Sequence, residues 1–129
     1  MKHHEHSVLV VDDDADTLYA LTTILKKCDC LVDQADSIEA ALALMDKTYY
    51  DIVFCDLLFH VGPNGDELLD AVRRHHDEID VVIISSILDT EHETALLSKG
   101  AVMCLQKPLF KSMFLDTFAL LNNLHLQAA

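Results

Sequence analysis

Five residues of this 129-residue chain are of types that handle phosphate: Asp12, Asp13, Asp56, Ser85 and Lys107. Each follows an apolar run. Asp12 and Asp13 follow Val8-Leu9-Val10-Val11, and Asp56 follows Ile52-Val53-Phe54-Cys55. Ser85 follows Val81-Val82-Ile83-Ile84, and Lys107, with Pro108 behind it, follows Met103-Cys104-Leu105-Gln106. If the runs are neighbouring parallel strands, their carboxyl ends face one crevice, where open α/β sheets bind ligands. Three ionised carboxylates crowded there raise one another's pKa values unless a cation intervenes. Mg²⁺ suits them, because it takes hard oxygen ligands, keeps several waters and often bridges carboxylates to a phosphate. A carboxylate so placed, Asp56, can attack phosphorus and form an acyl phosphate. The cation and the Lys107 ammonium would neutralise the equatorial oxygens of the transferring group, and the Ser85 hydroxyl would hydrogen-bond one of them. Pro108 fixes the turn after Lys107, and a cis bond before it is within its repertoire. Plainer readings stand beside these: the run Asp12-Asp13-Asp14 as a helix N-terminus, Asp56 as a solvated loop acid, and Lys107-Pro108 as a strand end.

The elements that must position these residues are legible as a βαβ rhythm, with apolar runs recurring about every 20 to 30 residues between helix-periodic segments. Leu18, Leu21, Leu25 and Cys28 mark one helical face. Ile38, Ala41, Leu42 and Met45 mark the next, opened by Asp36 with Glu39 three residues on. Asn64 and Glu67 open a third helix that buries Leu68, Leu69 and Val72. Thr90 and Glu93 open a fourth, which closes at Gly100. A fifth spans residues 112–124. Residues 30–35 are mixed in polarity and suit an edge strand, whereas the runs before Asp12, Asp56 and Ser85 are continuously apolar, as strands covered on both faces are. The expected architecture is α/β, one open parallel sheet of five strands with helices on both faces. A loop of residues 57–65 follows Asp56, at the end of the sheet where functional loops concentrate.

Bulk composition narrows the function classes. The chain is 51% hydrophobic and 24% charged, which is globular and of single-domain size. Nine basic against 22 acidic residues give a formal charge of −13, which repels phosphate backbones and disfavours direct nucleic-acid binding. No apolar run approaches a membrane span and no signal-peptide core precedes the first strand, so a cytoplasmic location without membrane contact is the default. Cys28, Cys30, Cys55 and Cys104 lack paired spacing and read as buried thiols. Residues 1–6, with His3, His4 and His6, read as a flexible N-terminus, and residues 7–126 as the domain. His75 and His76 are expected to be solvated near a helix end. In the last segment Phe114, Phe118 and Leu121 form a core stripe. The remaining Phe110, Leu115, Leu120, Leu124 and Leu126 exceed one face, and mark either ordinary packing or a homodimer or partner surface.

In order, residues 8–14, 51–57, 81–86 and 105–108 resemble the receiver domain of two-component response regulators, over residues 7–124. Lys107 lies 22 residues after Ser85, the family's usual spacing. The resemblance implies a flavodoxin-like (βα)5 sheet in the order 2-1-3-4-5. It also implies that Asp56 accepts a phosphoryl group from a histidine kinase or phosphotransfer protein. Asp13, Asp56 and the main-chain carbonyl of Leu58 would ligate Mg²⁺, with Asp12 holding metal-bound water. Ser85 would be the switch hydroxyl and Lys107 the phosphoryl partner. Modification adds roughly −1.5 to −2 charges, and the face of helix 4, strand 5 and helix 5 would then select a downstream protein or output domain. Such a module is a signalling switch that promotes its own phosphorylation and dephosphorylation, not an enzyme with an external substrate.

Three departures qualify the resemblance. Cys104 stands where a switch aromatic is usual, so output is expected through backbone shifts over residues 85–90, visible by nuclear magnetic resonance after beryllofluoride addition. His60 replaces a usual proline, and Gly65 comes one residue late. Leu58 and Ile87 occupy positions that influence hydrolysis, and neither side chain can hydrogen-bond an attacking water, so a long-lived phosphorylated form is expected. Two rivals remain: a degenerate receiver that acts through protein contacts without phosphotransfer, and an Asp-nucleophile phosphohydrolase. The second wants an acid/base carboxylate where Leu58 stands.

Overall fold

Side chains on a strand alternate between the two faces of a sheet, and here both faces are apolar. The computed structural model describes residues 6–128. Strands and helices alternate along the chain as β1 (Ser7–Val11), α1 (Ala15–Lys27), β2 (Leu31–Ala35), α2 (Ile38–Met45), β3 (Ile52–Asp56), α3 (Gly65–His75), β4 (Asp80–Ser85), α4 (Thr90–Ser98), β5 (Met103–Gln106) and α5 (Lys111–Ala128). The strands form one parallel sheet in the order β2-β1-β3-β4-β5. This is the flavodoxin-like (βα)5 arrangement expected from sequence.

Val8, Val10, Ile52, Phe54, Val82, Ile84 and Leu105 face one way, against Leu18, Leu21 and Leu25 of α1 and Phe114, Phe118 and Leu121 of α5. Leu9, Val11, Val53, Cys55, Val81, Ile83 and Cys104 face the other, against Ile38, Ala41 and Met45 of α2, Leu68, Leu69 and Val72 of α3, and Leu96 of α4. Each large side chain removed from water contributes about 1.5–3 kcal/mol, so this two-sided burial fixes the strand register. β2, the mixed strand, lies at the edge with Leu31, Asp33 and Gln34 exposed.

Helix starts confirm one capping assignment and correct two. Asn64 precedes α3, and its N–H donates to Glu67 Oε2 at 2.9 Å. For α2 the cap is Ser37, not Asp36: Ser37 has extended backbone and its Oγ accepts from Ala40 N–H at 3.1 Å. For α4 it is Asp89, not Thr90: the Asp89 carboxylate accepts from His92 N–H at 2.8 Å, and Thr90 is already helical. Adjacent residues in both places are good caps, and the burial of Ile38 and Leu96 sets which one starts the helix. Gly100 ends α4 at φ +109°, a left-handed conformation that glycine adopts without strain. α5 begins one residue before and ends four residues after the expected span.

His6 departs from the flexible tail in which the sequence placed it. It is buried, with Nδ1 3.7 Å from Asp51 Oδ2 and its ring 6.2 Å from that of Phe118. His3 and His4 lie outside the described residues, as do the side chains of Leu124 and Leu126. Cys30, Cys55 and Cys104 are buried, and burial pushes the Cys30 thiol up to about 12 and that of Cys104 to about 11. His75 is exposed, while His76 is half-buried, with Nε2 3.9 Å from Asp46 Oδ1.

Candidate functional site

The register brings four strand ends level. Val11 pairs with Cys55, Asp56 with Ile84, and Ser85 with Gln106. Asp12, Asp56, Ser85 and Lys107 therefore emerge within two residues of one another along four adjacent strands, at the carboxyl edge. Asp12, Asp13 and Asp56 each place one carboxylate oxygen so that all three lie within 4.8 Å, and no other such group of His, Cys, Asp or Glu occurs among the described residues. The capping role suggested for the aspartate run falls to Asp14 alone, whose Oδ2 accepts from Thr17 N–H at 3.3 Å and Thr17 Oγ1 at 2.6 Å.

The neighbours of Asp56 set its chemistry. Its residue exposure is 8%. Burial, then the charge of Asp12, raises its pKa above the ordinary carboxylate value, while Lys107 and the Leu57 N–H offset part of that rise. Lys107 Nζ lies 3.3 Å from Asp56 Oδ1 and 3.6 Å from Asp12 Oδ2. Partial burial opposes the Lys107 charge, but the Asp12 and Asp56 carboxylates outweigh it and raise its pKa. The peptide bond from Lys107 to Pro108 is cis, within the range expected for X-Pro. One ammonium against three carboxylates leaves the cluster short of positive charge. A buried set of hard anionic oxygens with that deficit fits a divalent ion such as Mg²⁺.

Ser85 is buried, and its Oγ is engaged in a tight turn, donating to Ile87 O at 2.8 Å and accepting from Ile87 N–H at 3.1 Å. Its carbonyl accepts from Lys107 N–H at 2.8 Å, so hydroxyl and lysine sit on paired strand ends. Leu58 and Ile87 are exposed, at 52% and 66%. A cleft of about 600 Å³ opens beside Lys107, lined among others by Asp16, Thr17, Leu21, Ser86 and Pro108.

The loop after β3 is built on two close approaches. A Cβ on Gly65 would lie 2.5 Å from the Asp56 carbonyl oxygen, so only glycine lets α3 start so near the strand end. Asn64 Oδ1 accepts from Phe59 N–H at 2.9 Å. At the loop's tip lies a contact that sequence reasoning missed. His60 donates its backbone N–H to Asp13 Oδ2 at 2.9 Å and sets its ring Nδ1 2.7 Å from the same oxygen. Those hydrogen bonds hold the Asp13 carboxyl below its ordinary value and raise that of the His60 imidazole, to which the Asp56 and Asp12 charges also contribute. The signal present in the sequence was a residue with an N–H and a ring donor where proline, which has neither, is usual.

Similarity to known proteins agrees with this geometry. The model of the response regulator receiver domain matches residues 8–118. The nitrogen assimilation regulatory protein NtrX of Azorhizobium caulinodans is 31% identical over 104 residues, which are 80% of this chain and 23% of that protein. The transcriptional regulatory protein MalR of Bacillus subtilis is also 31% identical over 104 residues, 79% of this chain and 44% of its own length. The chain thus spans less than half the length of these relatives. The chemotaxis response regulator CheY4 of Vibrio cholerae superposes with a TM-score of 0.85 at 23% identity, over 92% of this chain and 99% of that one. With the parallel 2-1-3-4-5 sheet and an acidic cluster at its carboxyl edge, the chain belongs to the response regulator receiver domain family.

Proposed function

We propose that the chain is a phosphorylation-dependent signalling switch in which Asp56 accepts a phosphoryl group from a histidine kinase or phosphotransfer protein. The observation that carries this reading is the convergence of a buried, charge-crowded Asp56 with Asp12, Asp13 and Lys107 at one sheet edge. Asp56 Oδ1 is held by the Leu57 N–H at 3.1 Å and by Lys107, so Oδ2 is the oxygen offered to phosphorus. In the transfer a P–O bond to Asp56 forms as the donor's P–N bond breaks, and the released imidazole keeps the electron pair and takes a proton. Lys107 stays beside the new acyl phosphate and balances the charge on its oxygens. Asp12, Asp13, Asp56 and the Leu58 carbonyl would hold Mg²⁺, which adds positive charge at the phosphoryl oxygens and keeps the carboxylates ionised together.

A phosphoryl oxygen within reach of Ser85 competes for the hydroxyl that now donates to Ile87 O. Releasing that turn moves Ile87 and Leu88, and Leu88 packs on the core cluster that contains Cys104. The β4–α4 loop thereby carries the change to the α4-β5-α5 face without an aromatic at residue 104, and that face selects a downstream protein, a second copy, or an output domain. The names of the longer relatives NtrX and MalR support a regulatory output of this kind. Incubation with acetyl phosphate and Mg²⁺, read by intact mass, tests the proposal. One phosphoryl group adds to the wild type and none to Asp56→Asn. No addition to the wild type would leave the degenerate-receiver reading, and catalytic turnover would favour a phosphohydrolase.

A further inference from the structure

The histidine at the tip of the β3–α3 loop directs two donors at one oxygen. Asp13 Oδ2 accepts from the His60 backbone N–H at 2.9 Å and lies 2.7 Å from the ring Nδ1. A carboxylate oxygen only accepts, so Nδ1 carries the proton of that bond, and the two donors fill the two lone-pair sites of Oδ2. They differ in how easily they leave. The backbone N–H is set by the loop, which is tied by Phe59 N–H to Asn64 Oδ1 at 2.9 Å and by Gly65 N–H to Leu57 O at 2.7 Å. The ring sits on a rotatable side chain that is 91% exposed.

We propose that the His60 ring is a latch on the acidic pocket: in the ion-free protein it covers the Asp13 oxygen that Mg²⁺ takes, and ion binding swings it off. This deepens the cation reading made under Proposed function and rests on it. Magnesium keeps an octahedral shell of oxygens, so it has no use for the imidazole and competes with it for Oδ2. The bonds that hold the Asp13 carboxyl below its ordinary value without a cation come from His60, and the ring's share is what the cation must displace. With the ring gone, Oδ2 keeps the backbone N–H on one side and is open on the other. The latch is particular to residue 60, because the proline usual there has neither donor. Since the ring lies in solvent its bond is a weak one, and the latch raises the Mg²⁺ concentration needed to load the pocket without closing it.

The test titrates Mg²⁺ into the full chain at one fixed pH. Nuclear magnetic resonance reads the amides of Asp12, Asp13 and Asp56 and the ring nitrogens of His60. In the wild type, saturation of the pocket amides takes the ring from its Nδ1–H form towards the tautomer mixture of a free imidazole, with one midpoint for both signals. His60→Ala binds Mg²⁺ about two- to five-fold more tightly than the wild type, as loss of an exposed competing bond requires. His60→Asn, whose side-chain amide N–H reaches the place of Nδ1, restores the wild-type affinity. A ring that keeps its Nδ1–H signal when the pocket amides are saturated overturns the inference. So does an affinity unchanged or weakened in His60→Ala, because the ring would then be idle or would hold Asp13 in position for the ion. If Mg²⁺ moves none of the pocket amides in the wild type or in His60→Ala, the cation reading falls and the latch with it. Mg²⁺ binding that is indifferent to residue 60 removes the latch alone.

Discussion

Asp56 is held in a charge state that costs stability when no cation is bound. Its pKa in the folded chain lies above the ordinary 3.8, so between 3.8 and the folded value the native state binds more protons than the unfolded one. Stability of the ion-free protein therefore falls as pH rises through that window. Asp56→Asn removes the charge and is expected to raise the ion-free melting temperature at pH 7 by roughly 4 °C, about 1 kcal/mol. Scanning calorimetry with a chelator present checks this, and an unchanged or lower melting temperature counts against the crowding. At the same scale, the exposed Leu58 and Ile87 offer nothing to orient an attacking water. The phosphorylated form should last minutes or longer in Mg²⁺, and Leu58→Gln, which supplies an amide, should shorten that lifetime several-fold; decay of the wild type within seconds would refute it. The gathering of Asp12, Asp56, Ser85 and Lys107 at one sheet edge was legible because each follows an apolar run. The pairing of His60 with Asp13 was not, since it joins residues 47 positions apart through a loop conformation that no periodicity encodes.

The strand–loop–helix unit from β3 to α3 shows how an element aims a side chain. Gly65 N–H donates to Leu57 O at 2.7 Å, and the missing Cβ lets the first turn of α3 press on the Asp56 carbonyl. Gly65→Ala brings a Cβ into backbone atoms that have nowhere to go. It should cost about 1–3 kcal/mol and slow phosphorylation by displacing the acceptor; denaturant melts and acetyl phosphate kinetics measure both, and an unperturbed variant would contradict the close approach. The elements themselves were readable from sequence: the runs ending at Val11, Cys55 and Ile84 became strands buried on both faces, and Asn64 opened α3. The two misplaced caps have one cause. Asp36 beside Ser37, and Asp89 beside Thr90, are interchangeable as local signals, and only packing of the following helix chooses between them. His6 was misread for a similar reason: a polar residue in a histidine-rich tail gives no local hint that Phe118, far along the chain, will pack against it.

Across the whole molecule, the two faces of the sheet carry the packing and its carboxyl edge carries the acidic cluster. Two apolar layers hold the strands from both sides, while the carboxyl edge gathers acidic groups that repel one another. With a formal charge of −13, the molecule attracts divalent cations and discourages contact with phosphate backbones. Among the described residues no helix is long and apolar enough to cross a membrane. The topology was legible because the βαβ rhythm admits few arrangements, and the resemblance supplied the strand order. The account stands on one chemical claim, that Asp12, Asp13 and Asp56 share a cation that lets Asp56 attack phosphorus. Its most direct test treats the chain with acetyl phosphate, reduces any acyl phosphate with borohydride, and locates the resulting homoserine by peptide mass spectrometry. The account predicts homoserine at position 56 alone, only with Mg²⁺ present, and nearly abolished in Asp13→Asn. Homoserine at another aspartate, or equal labelling of position 56 without Mg²⁺ and in Asp13→Asn, would contradict it.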